Sequence, residues 1–332
     1  MNDPRRDTFS ASPMLVATSP SATSPLALVE LPSRALGATD VRVRIRTIGV
    51  NPVDWKMREG GPLRLAHRFV GPRGPLVVGV DFAGEVAETG PNVTGFAAGA
   101  RVVGATDFSR KQLGCYADEA VVGADQLALL PDAVSFDQAA CLGVPGATAM
   151  QALADFAHLD ERAGGKVLVL GASGGVGLCA VQLARSLRCS VVGVCSTPNV
   201  ALVESLGATV VDYTKGDALE AARAHGPFDL VFHAVGTAVY PLSPCRELLT
   251  PTGTVALVVV HPFADALAIA FTRGVHASLG RSTGALLARL VAMVAAEELR
   301  CVIEAKLPLA EAEEAHARSR RGKVVGKLLL AP

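Results

Sequence analysis

The sequence predicts an α/β protein of two units, one β-rich and one a doubly wound parallel sheet, and three observations carry that expectation. A length of 332 residues exceeds what a single hydrophobic core comfortably serves. Short strand-like runs separated by turn residues fill most of the chain up to Pro131. From Lys166 onward strand-like and helix-like segments alternate, the pattern of parallel strands joined by crossover helices.

Residues 41–48 read Val-Arg-Val-Arg-Ile-Arg-Thr-Ile. This strict period of two puts Val41, Val43, Ile45 and Thr47 on one face of a half-exposed strand and the arginines on the other. Further runs at 77–80, 101–103, 117–122 and 127–130 are divided by clusters such as Gly90-Pro91-Asn92, so residues from about 15 to 131 form an antiparallel, barrel-like unit. The first dozen residues read as a loose tail. At Pro131-Asp132 the grammar changes. Ser135 followed three positions later by Gln138 is a capping box opening a short helix, and 148–156 is the next helix. Strands at 167–170, 191–195, 209–211, 230–232 and 254–260 then alternate with helices at 176–187, at 199–206 and after Tyr240. A helix at 285–299, a strand at 305–307, a charged helix at 310–319 and a strand at 324–330 end the chain. Periodicity alone leaves open which unit they join.

Composition narrows the function. Half the residues are hydrophobic and 19% are charged, with 33 glycines and 20 prolines, which describes a compact globular chain rich in turns. Thirty-one basic residues balance thirty-one acidic ones, so no global field draws the protein to nucleic acid or an anionic membrane; a small-molecule partner is expected. The apolar runs are too short to span a bilayer, and Arg5 and Arg6 precede no apolar secretory core. Cys115, Cys141, Cys179, Cys189, Cys195, Cys245 and Cys301 form no C-x-x-C pair and read as reduced thiols of a cytoplasmic protein. The 254–260 strand, if left unpaired, would offer the edge for a homodimer.

The strongest chemical signal runs from Lys166 through Gly177, an apolar strand entering a glycine-dense turn and then an amphipathic helix. Gly171, Gly174 and Gly177 are spaced G-x-x-G-x-x-G. Glycine lets backbone approach a pyrophosphate and lets helix and strand pack closely, while the helix N-terminus offers free N–H groups to the anion. Gly171, Ala172, Ser173, Gly174, Gly175, Val176 and Gly177 are therefore expected to hold a dinucleotide, in a Rossmann unit. At the end of the second strand, where NAD sites place a carboxylate against the ribose, this chain has Cys195-Ser196-Thr197. Hydroxyls without a carboxylate favour NADPH, although Ser196 and Thr197 also suit a turn that caps the next helix.

These segments resemble the medium-chain dehydrogenase/reductase superfamily, in particular its zinc-free quinone oxidoreductase and enoyl reductase branch. The resemblance is carried, in order, by 51–56 (Asn-Pro-Val-Asp-Trp-Lys), 79–86 (Gly-Val-Asp-Phe-Ala-Gly-Glu-Val), 114–117 (Gly-Cys-Tyr-Ala), 146–149 (Gly-Ala-Thr-Ala), the glycine turn and 321–325 (Arg-Gly-Lys-Val-Val). It implies that residues 1–145 and 285–332 form a GroES-like catalytic domain, that 146–284 form the Rossmann domain, and that the active site lies between them. Asn51, Val80 and Val144 align with the three catalytic zinc ligands of relatives, which implies no metal. Without a Lewis acid, reduction of an enone or quinone by hydride from NADPH is the expected chemistry.

The resemblance also implies roles. Asn51 would face the nicotinamide and donate to a substrate oxygen, unless it is only a turn residue before Pro52. Asp54 would orient Asn51 or stabilise the turn, Trp55 would wall the substrate, and Lys56 would reach solvent or cofactor. Thr148 would lie beside the nicotinamide or cap a helix, and Tyr116 would donate a proton or simply pack. Tyr213 would contact the 2′-phosphate, with Asn199, Val235, Gly236 and Lys327 completing the cofactor contacts. Pro198-Asn199 stands where relatives carry Lys or Arg, which weakens the phosphate clamp. His233 replaces a common Asp, as a strand-end residue or one near the cofactor. An NADPH-binding sensor or structural protein with little turnover, or a redox-neutral enzyme, are the alternative readings.

Overall fold

The computed structural model describes residues 9–19, 24–161, 164–259, 269–278 and 280–332. β1 (Phe9–Ser19) pairs antiparallel with β2 (Ala27–Arg34). β3 (Asp40–Gly49) leads through Asn51 into α1 (Pro52–Glu59) and α2 (Gly61–Val70). Each of these helices carries proline in its first turn, where a missing N–H costs nothing. β4 (Leu76–Val77) joins β1 in a three-stranded sheet. β5 (Asp81–Thr89), β6 (Arg101–Ala105), β7 (Glu119–Gly123) and β8 (Leu127–Leu129) build an antiparallel sheet with β3.

α3 (Phe136–Ala139) and α4 (Gly143–Met150), the latter running on as a π turn over Gln151–Phe156, lead into the second sheet. That sheet takes β9 (Lys166–Leu170), β10 (Ser190–Cys195), β11 (Thr209–Asp212), β12 (Phe228–His233), β13 (Leu249–Leu257) and β14 (Val275–Ala277). Every pairing in it is parallel, in the order β11-β10-β9-β12-β13-β14. α5 (Gly175–Ser186), α6 (Val200–Ser205), α7 (Ala218–Arg223) and α8 (Leu242–Arg246) make crossovers. After α9 (Gly284–Ala295), β15 (Ile303–Pro308), α10 (Ala312–Arg320) and β16 (Lys327–Ala331) finish the chain. β16 pairs antiparallel with β3, so the last strand returns to the first large sheet. The fold is thus a GroES-like β-rich unit with a Rossmann-type parallel sheet.

The expected alternation holds along β3, where Val41, Val43, Ile45 and Thr47 are buried and Arg44 and Arg46 exposed. The Ser135 capping box forms as well: its hydroxyl accepts the Gln138 N–H at 3.1 Å, and Gln138 returns the bond to the Ser135 N–H at 2.9 Å. Three expectations need correction. Phe9 onward belongs to a strand rather than a tail, because β1 finds a partner in β2; residues 1–8 lie outside the described residues. The stretch after Asn51, for which the sequence offered only a turn before Pro52, folds into two helices. The 254–260 strand does not present an open edge, since β14 covers its outer side; Val260 lies outside the described residues. Among the described residues no helix is long and apolar enough to cross a membrane.

β16 joins the two cores by its period of two. Leu328 and Leu330 pack with Val41, Ile45 and Phe82 in the β-rich core. Leu329 faces the other way, into the core that includes Val169, Ala172 and Leu290. Leu329→Ala is expected to cost about 2–5 kcal/mol through the cavity it leaves. A drop in the urea midpoint with an unchanged slope would report this loss.

Candidate active site

The glycine turn follows directly from β9. Gly171 sits at φ +86°, a conformation that suits a residue without Cβ. At Gly177 a Cβ would fall 2.1 Å from the Gly171 carbonyl oxygen, so only glycine lets α5 approach the strand this closely. A Cβ at Gly174 would meet nothing nearer than 3.6 Å. That open space faces the start of α5, and it fits the diphosphate of a dinucleotide on free backbone N–H groups. The C-terminal strand secures the turn from behind: Gly326 N–H donates to the Ser173 carbonyl at 2.9 Å, and Gly174 bridges to Gly326.

Next to Gly326, the Lys327 stem crosses the turn, with Cδ 3.0 Å from where a Gly175 Cβ would be. Its ammonium donates to the Val50 carbonyl at 2.8 Å and to Asn51 Oδ1 at 2.7 Å, and stands 3.9 Å from Asp81 Oδ2. Asn51 donates both amide hydrogens, to Asp81 Oδ2 at 2.9 Å and to the Gly49 carbonyl at 3.2 Å. Asp81 also accepts the Val144 N–H at 2.8 and 3.0 Å. Asp54 Oδ2 accepts the Asn51 backbone N–H at 2.8 Å. Asn51, Asp54, Asp81 and Lys327 are all buried. Three elements, β5, the entry to α1 and β16, thus bring two carboxyl groups and one ammonium together against the glycine turn.

The predicted residues divide. Asp54 orients Asn51 as expected. Asn51 does not keep a free amide donor for a substrate oxygen, because Asp81 and Gly49 take both hydrogens. The Trp55 indole donates to Ser319 on α10 at 3.1 Å, with the Lys56 ammonium 5.6 Å and the Arg320 guanidinium 5.9 Å from its ring. Tyr116 is fully buried, its hydroxyl on Asp54 and His316. Thr148 is buried on α4, and its carbonyl accepts the Ser278 hydroxyl. His233 is a buried strand-end residue, its Nε2 at 2.9 Å from the Tyr240 carbonyl.

At the far end of the turn, Asn199 Nδ2 donates to Ser173 Oγ at 3.1 Å and to Ser196 Oγ at 3.3 Å. Tyr213 is half exposed beside this corner, its N–H on the Cys195 carbonyl. Val235 Cγ1 packs 2.8 Å from the Cβ position of Gly171, and Gly236 follows at φ +90°. The end of β10 itself carries no carboxylate, but the neighbouring strand brings one to the corner. β11 runs parallel to β10 with Asp212 opposite Cys195, and Asp212 Oδ2 accepts the Thr197 hydroxyl at 2.7 Å. The acid comes from the third strand of the sheet in sequence, one strand beyond the position where NAD sites carry theirs.

A zinc-binding dehydrogenase family model matches residues 206–330, and an alcohol dehydrogenase GroES-like domain model matches 37–132. The chloroplast envelope quinone oxidoreductase homolog of Arabidopsis thaliana is 32% identical over 92% of this chain and 93% of its own length. The medium-chain dehydrogenase/reductase superfamily includes this chain. A zinc-type alcohol dehydrogenase-like protein of Schizosaccharomyces pombe is 38% identical over 61% of this chain, and a trans-enoyl reductase of Aspergillus terreus is 36% identical over 64%. The chain spans 58% and 60% of those two relatives' lengths. The quinone oxidoreductase of Coxiella burnetii superposes with a TM-score of 0.84 at 28% identity, over 98% of this chain and all of that one.

Within this superfamily member, the aligned zinc positions do not fit a metal. Val80 and Val144 offer no side-chain donor, and Asn51 Oδ1 already holds the Lys327 ammonium. Among the described residues no group of three His, Cys, Asp or Glu could hold a metal ion.

Burial pushes the Asp54 carboxyl up to about 7, with the nearby Asp81 adding to the rise and the Asn51 N–H opposing it. Burial also raises Asp81, against the pull of Lys327 and the Asn51 amide. Sequence reasoning quoted the segment holding Asp81 without giving that residue a role. A lone Asp opening an apolar run was the available signal.

Two outcomes test this geometry. Gly174→Val should leave the thermal melt nearly unchanged yet abolish dinucleotide binding in a fluorescence titration, whereas Gly177→Val should destabilise the fold itself. For Asp54, the folded value exceeds the ordinary carboxyl value of about 3.9, so its stabilising contribution is complete below that pH and disappears as pH rises through about 7. Asp54→Asn escapes that loss. Its denaturation midpoint relative to the parent should therefore climb between about pH 4 and about pH 7 and level off above.

Proposed function

We propose that the protein is an NADPH-dependent, zinc-independent reductase that transfers hydride to an α,β-unsaturated carbonyl compound or a quinone. The observation that carries this reading is the buried Lys327 ammonium, bound to Asn51 and near Asp81 against the open glycine turn. The names of the relatives, quinone oxidoreductase and trans-enoyl reductase, support the same class. A bound reduced nicotinamide would supply the hydride, held by the turn from Gly171 to Gly177.

The protein's own residues supply the rest. The buried cation polarises the cleft toward negative charge developing on the substrate oxygen. Ser282 Oγ, buried without a partner, lies 3.4 Å from the Cβ position of Gly143 and is free to donate where Asn51 is not. Asp81 keeps Lys327 and Asn51 in register. The homodimer, the cytoplasmic location and the domain limits at residues 145 and 285 belong to this same reading.

For the 2′-phosphate, Ser196, Asn199 and Tyr213 favour NADPH, while Asp212 opposes a second anion. The preference is therefore modest. Asp212→Asn should raise the NADPH-to-NADH ratio of kcat/KM by about three- to tenfold, and added salt should shrink the gain.

The central test is acceptor-dependent loss of nicotinamide absorbance over a panel of quinones and enones, with and without a zinc chelator. Sustained turnover insensitive to chelation is expected. Tight NADPH binding without turnover across the panel would favour the sensor reading instead. Lys327→Met should lose about 100-fold or more in kcat, as loss of a preorganised electrostatic group does, and should also lower the melting temperature because Asp81 is left buried without its cation.

A further inference from the structure

A line of buried polar groups runs from α10 to the entry of α1. Glu313 holds Arg58 through two bonds, at 2.7 and 3.1 Å. Arg58 Nη1 lies 3.3 Å from His316 Nδ1, and His316 Nε2 lies 3.1 Å from the Tyr116 hydroxyl. Tyr116 reaches Asp54 Oδ2 at 3.3 Å, the same oxygen that accepts the Asn51 N–H. Tyr116 and His316 are completely buried.

Arg58 sets the direction of the whole line. A guanidinium only donates, so His316 Nδ1 accepts and the proton of the neutral ring is on Nε2. That proton goes to the Tyr116 oxygen, and the Tyr116 proton goes to Asp54. A second proton on His316 would sit against Arg58, and burial with that neighbour holds the imidazole down to about 3. Asp54 Oδ2 therefore receives two donors. Asp54 Oδ1 is buried and has no partner.

The charges facing Asp54 do not balance two ionised carboxyls. Asp81 comes from β5 and Lys327 from β16. Tyr116 and Cys115, from the segment before β7, are held neutral by burial. His316 from α10 is neutral, and Arg58 on α1 itself is neutralised by Glu313. One ammonium thus serves two carboxyls, and it stands on the Asp81 side with the Asn51 and Val144 donors. The carboxyl left without a cation and with a bare oxygen is Asp54.

We propose that Asp54 is the proton-storing group of this site, a neutral acid with its O–H at Oδ1, and that Tyr116 and His316 are positioning residues that hold it. The inference rests on the reductase reading for what the proton is used for. Reduction of an enone adds a hydride to the β-carbon and a proton to the α-carbon, and the oxidised cofactor keeps a positive charge. Loss of one proton from Asp54 to the product side leaves a carboxylate that offsets that charge. Solvent returns one proton before the next turnover, so atoms and charge balance.

The test uses the full chain without substrate. Infrared spectra should show a protonated carboxyl C=O band that disappears with a midpoint near about 7 and is absent from Asp54→Asn. Tyr116→Phe removes a donor to the ionised form and should move that midpoint upward by about half a pH unit or more. In weakly buffered indicator solution near about pH 6.5, binding of NADP+ should release up to about one more proton than binding of NADPH, and this difference should vanish in Asp54→Asn. If Asp54→Asn does not fold, the band in the parent and its shift in Tyr116→Phe decide alone. A parent protein with no carboxyl band between about pH 5 and about pH 8, or a midpoint unmoved by Tyr116→Phe, overturns the proposal even if turnover is normal. A band that titrates as expected in a protein that reduces no acceptor supports the stored proton and refutes the reductase reading instead.

Discussion

The structure depends on one buried cation. The Lys327 ammonium is out of water, and an isolated charge there would cost several kcal/mol or more. It is tolerated because the Val50 carbonyl, Asn51 Oδ1 and the Asp81 carboxylate surround it. Those groups come from two places in the chain, the junction of β3 with α1 and the start of β5. Satisfying one charge therefore fixes β16, the end of β3, the start of α1 and the start of β5 relative to one another.

The same contact positions the cofactor turn. Lys327 is carried by a strand whose preceding residue, Gly326, donates to Ser173 and bridges to Gly174. The strand pairs with β3 on one side, while its stem lies along the first residues of α5. The chain thus ends by inserting its last strand between the dinucleotide turn and the cluster at Asn51. A movement of the turn would be felt at once by the two carboxyls, because nothing compressible separates them.

Local patterns made much of this legible. The period of two in β3, the Ser135–Gln138 capping box and the strand, glycine turn and helix around Gly171 depend on neighbours in sequence, and each formed. The helices at α1 and α2 escaped notice because Pro52 and Pro62 look like breakers unless they are placed at the first turn. The site cluster was less visible. The family resemblance alone pointed to Asn51, Asp54 and Lys327, and it did not foresee that Asp81 and Gly49 take both hydrogens of the Asn51 amide. Asp81, Arg58 and His316 acquire their roles only when positions 54, 116 and 316 meet, and no local period encodes such a meeting. Asp212 escaped for the same reason: its carboxylate reaches Thr197 through the pairing of neighbouring strands.

On the proposed reading, the arrangement also shows what could stand in for a metal in a fold whose relatives include zinc-named dehydrogenases. A zinc ion concentrates positive charge at the substrate oxygen but needs three convergent donors. Here Val80 and Val144 remove two of them, and the third, Asn51, turns its oxygen to an ammonium. The positive charge is still present, now covalently tethered through β16 and held by Asp81. What an ammonium cannot do is activate a bound water or alcohol strongly, which is why the reading proposed above has the site deliver hydride to an electron-poor substrate rather than remove it from an alcohol. In that reading the proton for the reduction comes from a protein group or from solvent. Placing a second carboxyl, Asp54, beside a cation already claimed by the first puts such a group inside the cluster without adding another charge.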